Sequence, residues 1–332
     1  SNIQFDRVNY FKEIREAKKY FKLGSLQQEV FNYAGFIEQN CSDYEFDVIH
    51  AHDWLCFPAA IKAREKTGKP FIAHVHATEF DRCAGDNINS SVYEIEREGL
   101  MKADGVIAIS QRIKDLLINK YGIPEQRITL IHNGIDQEYF KKSSGKNLQI
   151  ETLKKSGNKI VLYVGRLTIQ KGIEFLIQAA KKVIDYDKNV YFIIAGSGEL
   201  RDQLVEKAAD LGISDKVLFP GFLRGEKLTE VYKSADVLVM PSVSEPFGLI
   251  PLESLINGTP VIISKQSGVS EVLVNSLKVD FWDTMKLADL ILGATQYQTL
   301  NSYLRENGQK EVNGINWDTP AQRCLEYYDK FI

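Results

Sequence analysis

Two carboxylates bracket a loop in SVSEPFGLIPLESL, residues 242–255: Glu245 stands before Pro246-Phe247-Gly248, and Glu253 follows eight positions later. The preceding run DVLVMPS (236–242) has the apolar, β-branched make-up of a buried strand, and LIPLESLI after it reads as the opening of a helix. The two acids thus sit where a strand's carboxyl end gives way to a helix N-terminus. Gly248 permits close backbone approach there, and the first helical amides lack intrahelical acceptors, so a phosphate or other anion suits the place. Glu253 falls within the first two turns, placed to accept from sugar hydroxyls. The plainer alternative is that Glu253 complements the helix dipole while Glu245 caps the turn or points to solvent.

A second loop has the opposite charge. In VGRLTIQKG (164–172) a strand ends at Gly165, and Arg166 and Lys171 follow, five positions apart, before the next helix. Arg presents a planar fork to phosphate oxygens and Lys a compact charge, so the pair could neutralise a diphosphate without a metal. AGSGEL (195–200), with Gly196, is a third strand-to-helix loop, weaker alone because a tight turn needs glycine anyway.

The histidines raise a rival chemistry. HAHD (50–53) and HVH (74–76) each place two imidazoles on one side of a strand, as metal-dependent hydrolases do. Such sites draw further His and Asp ligands from later strands, and here only His132 remains, so no catalytic metal is expected and His50, His52 and His74 read as structural or wall residues. DYD (185–187) has the spacing of a metal-binding Asp-x-Asp but falls between a helix and the next strand, at the wrong edge of a sheet, and reads as a solvated turn.

The elements that position these loops alternate. Strands are expected at 46–50, 70–75, 105–110 and 127–132, with helices near 54–66, 91–102 and 111–121 between them. Ser, Gly and Lys then break the pattern, and it restarts with strands at 160–165, 190–196, 216–221, 236–242 and 260–264 before a helical tail from about Met285. This predicts an α/β chain of two doubly wound domains: residues 1–140, a linker over 141–158, a second domain over 159–316, and a C-terminal helix over 317–332 packing back on the first. Ligands in such folds lie outside the carboxyl ends of the strands, so the site is expected in the cleft between the sheets.

Bulk composition narrows the partners. The 332 residues, 44% of them hydrophobic, suffice for two cores, and a net charge of −3 with scattered basic residues lacks the footprint of a nucleic-acid binder. Cys41, Cys56, Cys83 and Cys324 form no CxxC pair, the pattern of a reduced, cytoplasmic chain, and no apolar run reaches the roughly 18 residues of a membrane span. The first residue is not Met and the chain opens on a charged, helix-like segment, so it reads as a piece of a longer protein.

Taken together, GRLTIQKG, AGSGEL, EPFGLIPLE and SGVSE (267–271) resemble, in order and spacing, the donor-binding domain of retaining GT-B glycosyltransferases, in particular the glycogen and starch synthase-like branch. VIHAHDW (48–54), HVHATEFDR (74–82) and HNGID (132–136) are similar to that branch's acceptor-domain signatures, so the resemblance spans about residues 46 to 330. It implies a GT-B fold, two Rossmann-like domains facing a cleft, and hexosyl transfer from a nucleoside diphosphate sugar, ADP-glucose or UDP-glucose, to a glucan or oligosaccharide, with no cofactor and no metal. By it, Arg166 and Lys171 stabilise the leaving diphosphate, and Glu245 sits near the donor sugar while Glu253 holds the ribose hydroxyls. Gly165, Gly196, Phe247 and the amides of Gly248 and Leu249 belong to the donor side. His76 lies beside the transferred sugar, Asp53 and Asn133 line the sugar and acceptor side, and Trp54 shapes that wall or packs in the core. No residue stands out as a nucleophile. The family's Gly-rich loop is not found ahead of Phe46, where the only glycines are Gly24 and Gly35, so the first domain is expected to be incomplete at its N-terminus. Two other functions fit part of the pattern: a nucleotide-sugar 2-epimerase of the same fold, and a truncated, non-catalytic nucleotide-sugar or glucan-binding module.

Overall fold

The computed structural model describes residues 26–85, 87–141 and 147–332; the helix-like opening segment and Gly24 lie outside the described residues. Strands β1 (Ile49–His52), β2 (Phe71–Val75), β3 (Gly105–Ala108) and β4 (Ile128–Leu130) form one parallel sheet in chain order. A second parallel sheet has the order β10-β9-β8-β5-β6-β7, from β5 (Lys159–Val164), β6 (Val190–Ala195), β7 (Val217–Gly221), β8 (Val237–Met240), β9 (Val261–Ser264) and β10 (Leu277–Val279). The chain runs outward from β5 through β6 and β7, then returns to the other side of β5 and runs outward again. Strand order therefore reverses between β5 and β8, whose Val161 and Leu162 pair with Val237 and Leu238.

Alternation along the strands sets the layers, because successive side chains point to opposite faces. Phe71, Ala73, Val75, Val106 and Ala108 belong to one buried cluster with the helices Asp53–Thr67, Ser90–Lys102 and Gln111–Tyr121. That cluster runs on into the second domain, taking in Phe247, Leu252, Leu255 and Val269, so the two units share one apolar core. The opposite face of the second sheet, from Val161, Tyr163, Phe192 and Ile194, packs against the helices Ile173–Tyr186 and Thr284–Gln296.

Three expectations differ from what is observed. The first strand begins at Ile49 instead of residue 46. β10 was not anticipated, because LKV is short and carries a lysine; register with β9, Leu277 against Ile262, makes it a strand. Part of the expected linker is a helix, Leu148–Lys155: the Asn147 side chain accepts from the Ile150 amide, the Asn147 amide donates to Ser234 Oγ, and Ile150 is buried.

The helix Asp318–Tyr328 covers the remaining face of the first sheet, where Ile72, Ile107 and Ile131 meet Tyr327, Cys324, Tyr328 and Phe331. The Tyr327 hydroxyl donates to the Arg127 carbonyl at 3.0 Å and accepts from the buried Val106 amide at 3.2 Å, tying the end of the chain to β3. Tyr327→Phe keeps the ring but orphans that amide, so it is expected to lower unfolding free energy by about 1–3 kcal/mol. A shifted urea midpoint at unchanged slope would register the loss, and a wild-type midpoint would show the hydroxyl contributes nothing.

Candidate functional site

The loops after β5 and β8 meet at the strand-order reversal. Lys171 Nζ stands 2.6 Å from Glu245 Oε2, which also accepts from Ser242 Oγ at 3.2 Å. Glu245 is only 8% exposed, and both partners are largely removed from water. The Glu245 backbone is fixed as well, its amide donating to the Gln266 carbonyl and its own carbonyl accepting from Gly268. Arg166 is exposed, its guanidinium donating to Gln170 Oε1 at 3.2 Å, while Tyr163 donates its hydroxyl to the Arg166 carbonyl and so sets the turn.

Two glycines are required by geometry. A Cβ on Gly196 would lie 1.8 Å from the Gly165 carbonyl oxygen, so the loops after β5 and β6 touch backbone to backbone. Gly248 has φ +102° and a virtual Cβ 3.1 Å from the Glu245 side chain. Among the described residues, the amides of Gly248 and Leu249 have no hydrogen-bond acceptor. Glu253, half-buried in the helix Ile250–Ile256, accepts from the Tyr232 hydroxyl at 2.8 Å. Burial raises the Glu253 carboxyl above its ordinary range, and the tyrosine bond opposes part of that rise.

Phe247 and Asp53 depart from expectation. The Phe247 ring is 2% exposed and packs beside His132, so it supports the loop from within and offers no surface to a donor. Asp53 sits at φ +58°, and its carboxylate accepts from the amides of His76 (2.7 Å) and Ala77 (3.3 Å). It positions His76 and is not an open wall group; burial raises its pKa against the lowering effect of those amides. Asn133 lines a cavity of about 160 Å³ with His132, Val272 and residues of the C-terminal crossover. Trp54 is buried and packs in the core.

His76 pairs with His52, Nε2 to Nδ1, at 2.8 Å, and burial lowers the pKa of its imidazole. His50 Nε2 stands 3.0 Å from His74 Nδ1, and burial is the largest cause lowering these two as well, to about 4 and about 2. One ligating atom each from His50, His52 and His74 lie within 4.8 Å of one another, the one set among the described residues that could hold a metal.

A cavity of about 290 Å³ joins the domains, with Arg82 and Cys83 on one side and Arg166, Thr168, Gln170 and Glu199 on the other. Sequence reasoning singled out only Arg166 of these. Protein-family models match both halves: "Glycosyl transferases group 1" over residues 146–311 and "Glycosyltransferase Family 4" over residues 10–139. The chain belongs to the glycosyltransferases. An uncharacterized glycosyltransferase of Methanocaldococcus jannaschii is 33% identical over 295 residues, 86% of this chain and 75% of that protein. Glycogen synthase of Mycobacterium tuberculosis is 31% identical over 232 residues, 69% of this chain and 54% of the synthase. In fold, the glycosyltransferase superposes on sucrose-phosphate synthase from Thermosynechococcus elongatus with TM-score 0.79 at 23% identity, over 94% of this chain and 80% of that one. Its two-domain architecture is that of GT-B enzymes. No helix among the described residues is long and apolar enough to cross a membrane.

A polar clasp also holds the glycosyltransferase's domains together. Glu271, from the second domain, accepts from the amides of Gln111 (2.7 Å) and Arg112 (3.0 Å) at the start of the helix Gln111–Tyr121, and pairs with His132 at 3.1 Å. Ser244 Oγ donates to the fully buried Asp81 and accepts from Arg112, and Ser110 donates to the Pro246 carbonyl. Burial alone would raise Glu271, but the His132 and amide bonds bring it below the ordinary carboxylate range. A carboxylate with a depressed folded pKa contributes fully above the unfolded value, about 4.3, and loses that contribution as pH falls through the lower folded value. Glu271→Ala is accordingly expected to enlarge the radius of gyration in small-angle scattering at pH 7, with the unaltered chain expanding only in acid. Superimposable scattering curves at pH 7 would mean the clasp does not hold the domains.

Proposed function

We propose that this glycosyltransferase is a retaining, metal-independent hexosyltransferase moving glucose or a related hexose from a nucleoside diphosphate sugar to an α-glucan or related saccharide. The observation that carries the reading is the Lys171–Glu245 pair at the strand-order reversal, with Arg166 of the same loop lining a cavity that both domains border. The 31% identity to a glycogen synthase supports a glucan acceptor.

In this reading, rupture of the anomeric C–O bond develops charge on the leaving diphosphate, and Arg166 and Lys171 are fixed where that charge appears. Without donor, Glu245 neutralises Lys171. An incoming diphosphate competes for the ammonium, and Glu245 then turns its acceptor oxygens to sugar hydroxyls. Glu253, oriented by Tyr232, offers its second oxygen to the ribose, and the free amides of Gly248 and Leu249 meet donor oxygens. His76, with its pKa lowered by burial, acts as a neutral hydrogen-bonding group beside the sugar.

Calorimetric titration with ADP-glucose and UDP-glucose, with and without a chelator, tests the donor directly; chelator-insensitive binding of one names the base, and binding of neither removes the donor assignment. Glu245→Ala and Lys171→Ala are each expected to lower transfer at least about 100-fold. Each also strands a buried charge, so each destabilises, whereas the double variant is expected to regain stability without regaining transfer. Near-normal turnover in either single variant would sink the assignment.

A further inference from the structure

We propose that His50, His52 and His74 form a binding site for a borderline divalent cation such as Zn²⁺, distinct from the donor site and independent of the transfer chemistry proposed above. Adjacent parallel strands build the cluster. His52 and His74 are register partners on β1 and β2, and His50 precedes His52 by two residues, so period-two alternation puts all three imidazoles on one face. This is the face covered by the C-terminal helix, where Ile72 also lies. Neighbouring rings stand with centroids 4.4 to 5.1 Å apart, and the His50–His74 nitrogens are 3.0 Å apart. Ligands at the Zn–N distance of 2.0–2.1 Å in a tetrahedron lie about 3.3 Å from one another, so a cation would need that pair to open by only a few tenths of an ångström.

One further observation points to a ligand. The Tyr328 hydroxyl is hydrogen-bonded to His50 Nδ1, the arrangement that orients a ligating imidazole and leaves its Nε2 to the metal. An all-imidazole set suits Zn²⁺, Cu²⁺ or Ni²⁺ and not Mg²⁺, whose ligands are oxygens. His52 is exposed, which gives the cation a way in and leaves the fourth position to water.

The whole chain, stripped with chelator and dialysed against micromolar Zn²⁺, is expected to retain one zinc per chain by elemental analysis, and Co²⁺ is expected to give the absorption of a four-coordinate site. His52→Gln and His50→Gln should each weaken Zn²⁺ at least tenfold in competition titration, while His132→Gln, outside the cluster, leaves it unchanged. Circular dichroism of each variant separates loss of ligand from loss of fold, and His52, being exposed, is the substitution least disturbing to packing. Retention of no zinc, or equal zinc affinity in His52→Gln and the unaltered chain, overturns the site.

Discussion

Lys171 and Glu245 hold each other across 74 residues of sequence, in a place almost closed to water, and much of the second domain exists to keep them there. Taking one ammonium and one carboxylate out of water costs several kcal/mol apiece, and mutual attraction offsets this only with fixed geometry and further hydrogen bonds. The fold provides both. The strand order brings the β5 and β8 loops side by side, Ser242 gives Glu245 a second donor, and the strand-like pairing of Glu245 with Ser267 locks its backbone. A pair of this kind is a weak source of stability but a responsive element: a ligand bearing two phosphates offers the lysine more charge than one carboxylate does. On the proposed function, Glu245 is the anion that a donor diphosphate displaces from Lys171.

The same loop that presents Glu245 also joins the two domains. Ser244, its chain neighbour, bridges Asp81 and Arg112, and the carbonyl of Pro246, on the other side, takes the hydroxyl of Ser110. Any repositioning of Glu245 would therefore pull on contacts to the first domain within one residue in either direction. Glu271, a few residues beyond the segment that pairs with Glu245, caps a first-domain helix. The Glu245 carboxylate and the contacts that join the domains thus share backbone, which is a physical reason for the position of one to be coupled to the other.

Much of this was legible in the sequence because strands announce themselves by apolar runs and their carboxyl ends follow directly. Arg166, Lys171 and Glu245 were placed at strand ends by counting alone, and the helical tail was read from its period. What counting does not reach is pairing. Nothing local shows that Asp53 turns its carboxylate onto the amides of His76 and Ala77, 23 and 24 positions away, or that Phe247 folds inward instead of facing the donor. The clasp residues Asp81, Arg112, Ser244 and Glu271 are ordinary polar residues until two domains meet. The helix Leu148–Lys155 was hidden for a different reason: a Ser-, Gly- and Lys-rich stretch reads as linker, and its Asn147 cap gains meaning only beside Ser234.

The histidines show how one periodicity serves two purposes. Along β1 and β2 the helix-facing positions are filled by residues such as Ala51, Phe71, Ala73 and Val75, while the alternate positions carry His50, His52, Ile72 and His74. Toward the amino ends of the strands this second face is apolar and lies under the C-terminal helix; toward the carboxyl ends it becomes imidazole. The change of chemistry falls at the border of the helix, where Tyr328 touches His50. An apolar side chain at His74 would pack against Ile72 and Ile107 without leaving an orphaned nitrogen. Packing alone therefore does not call for imidazole at that buried position. Its presence is explained if the carboxyl edge of this face binds something.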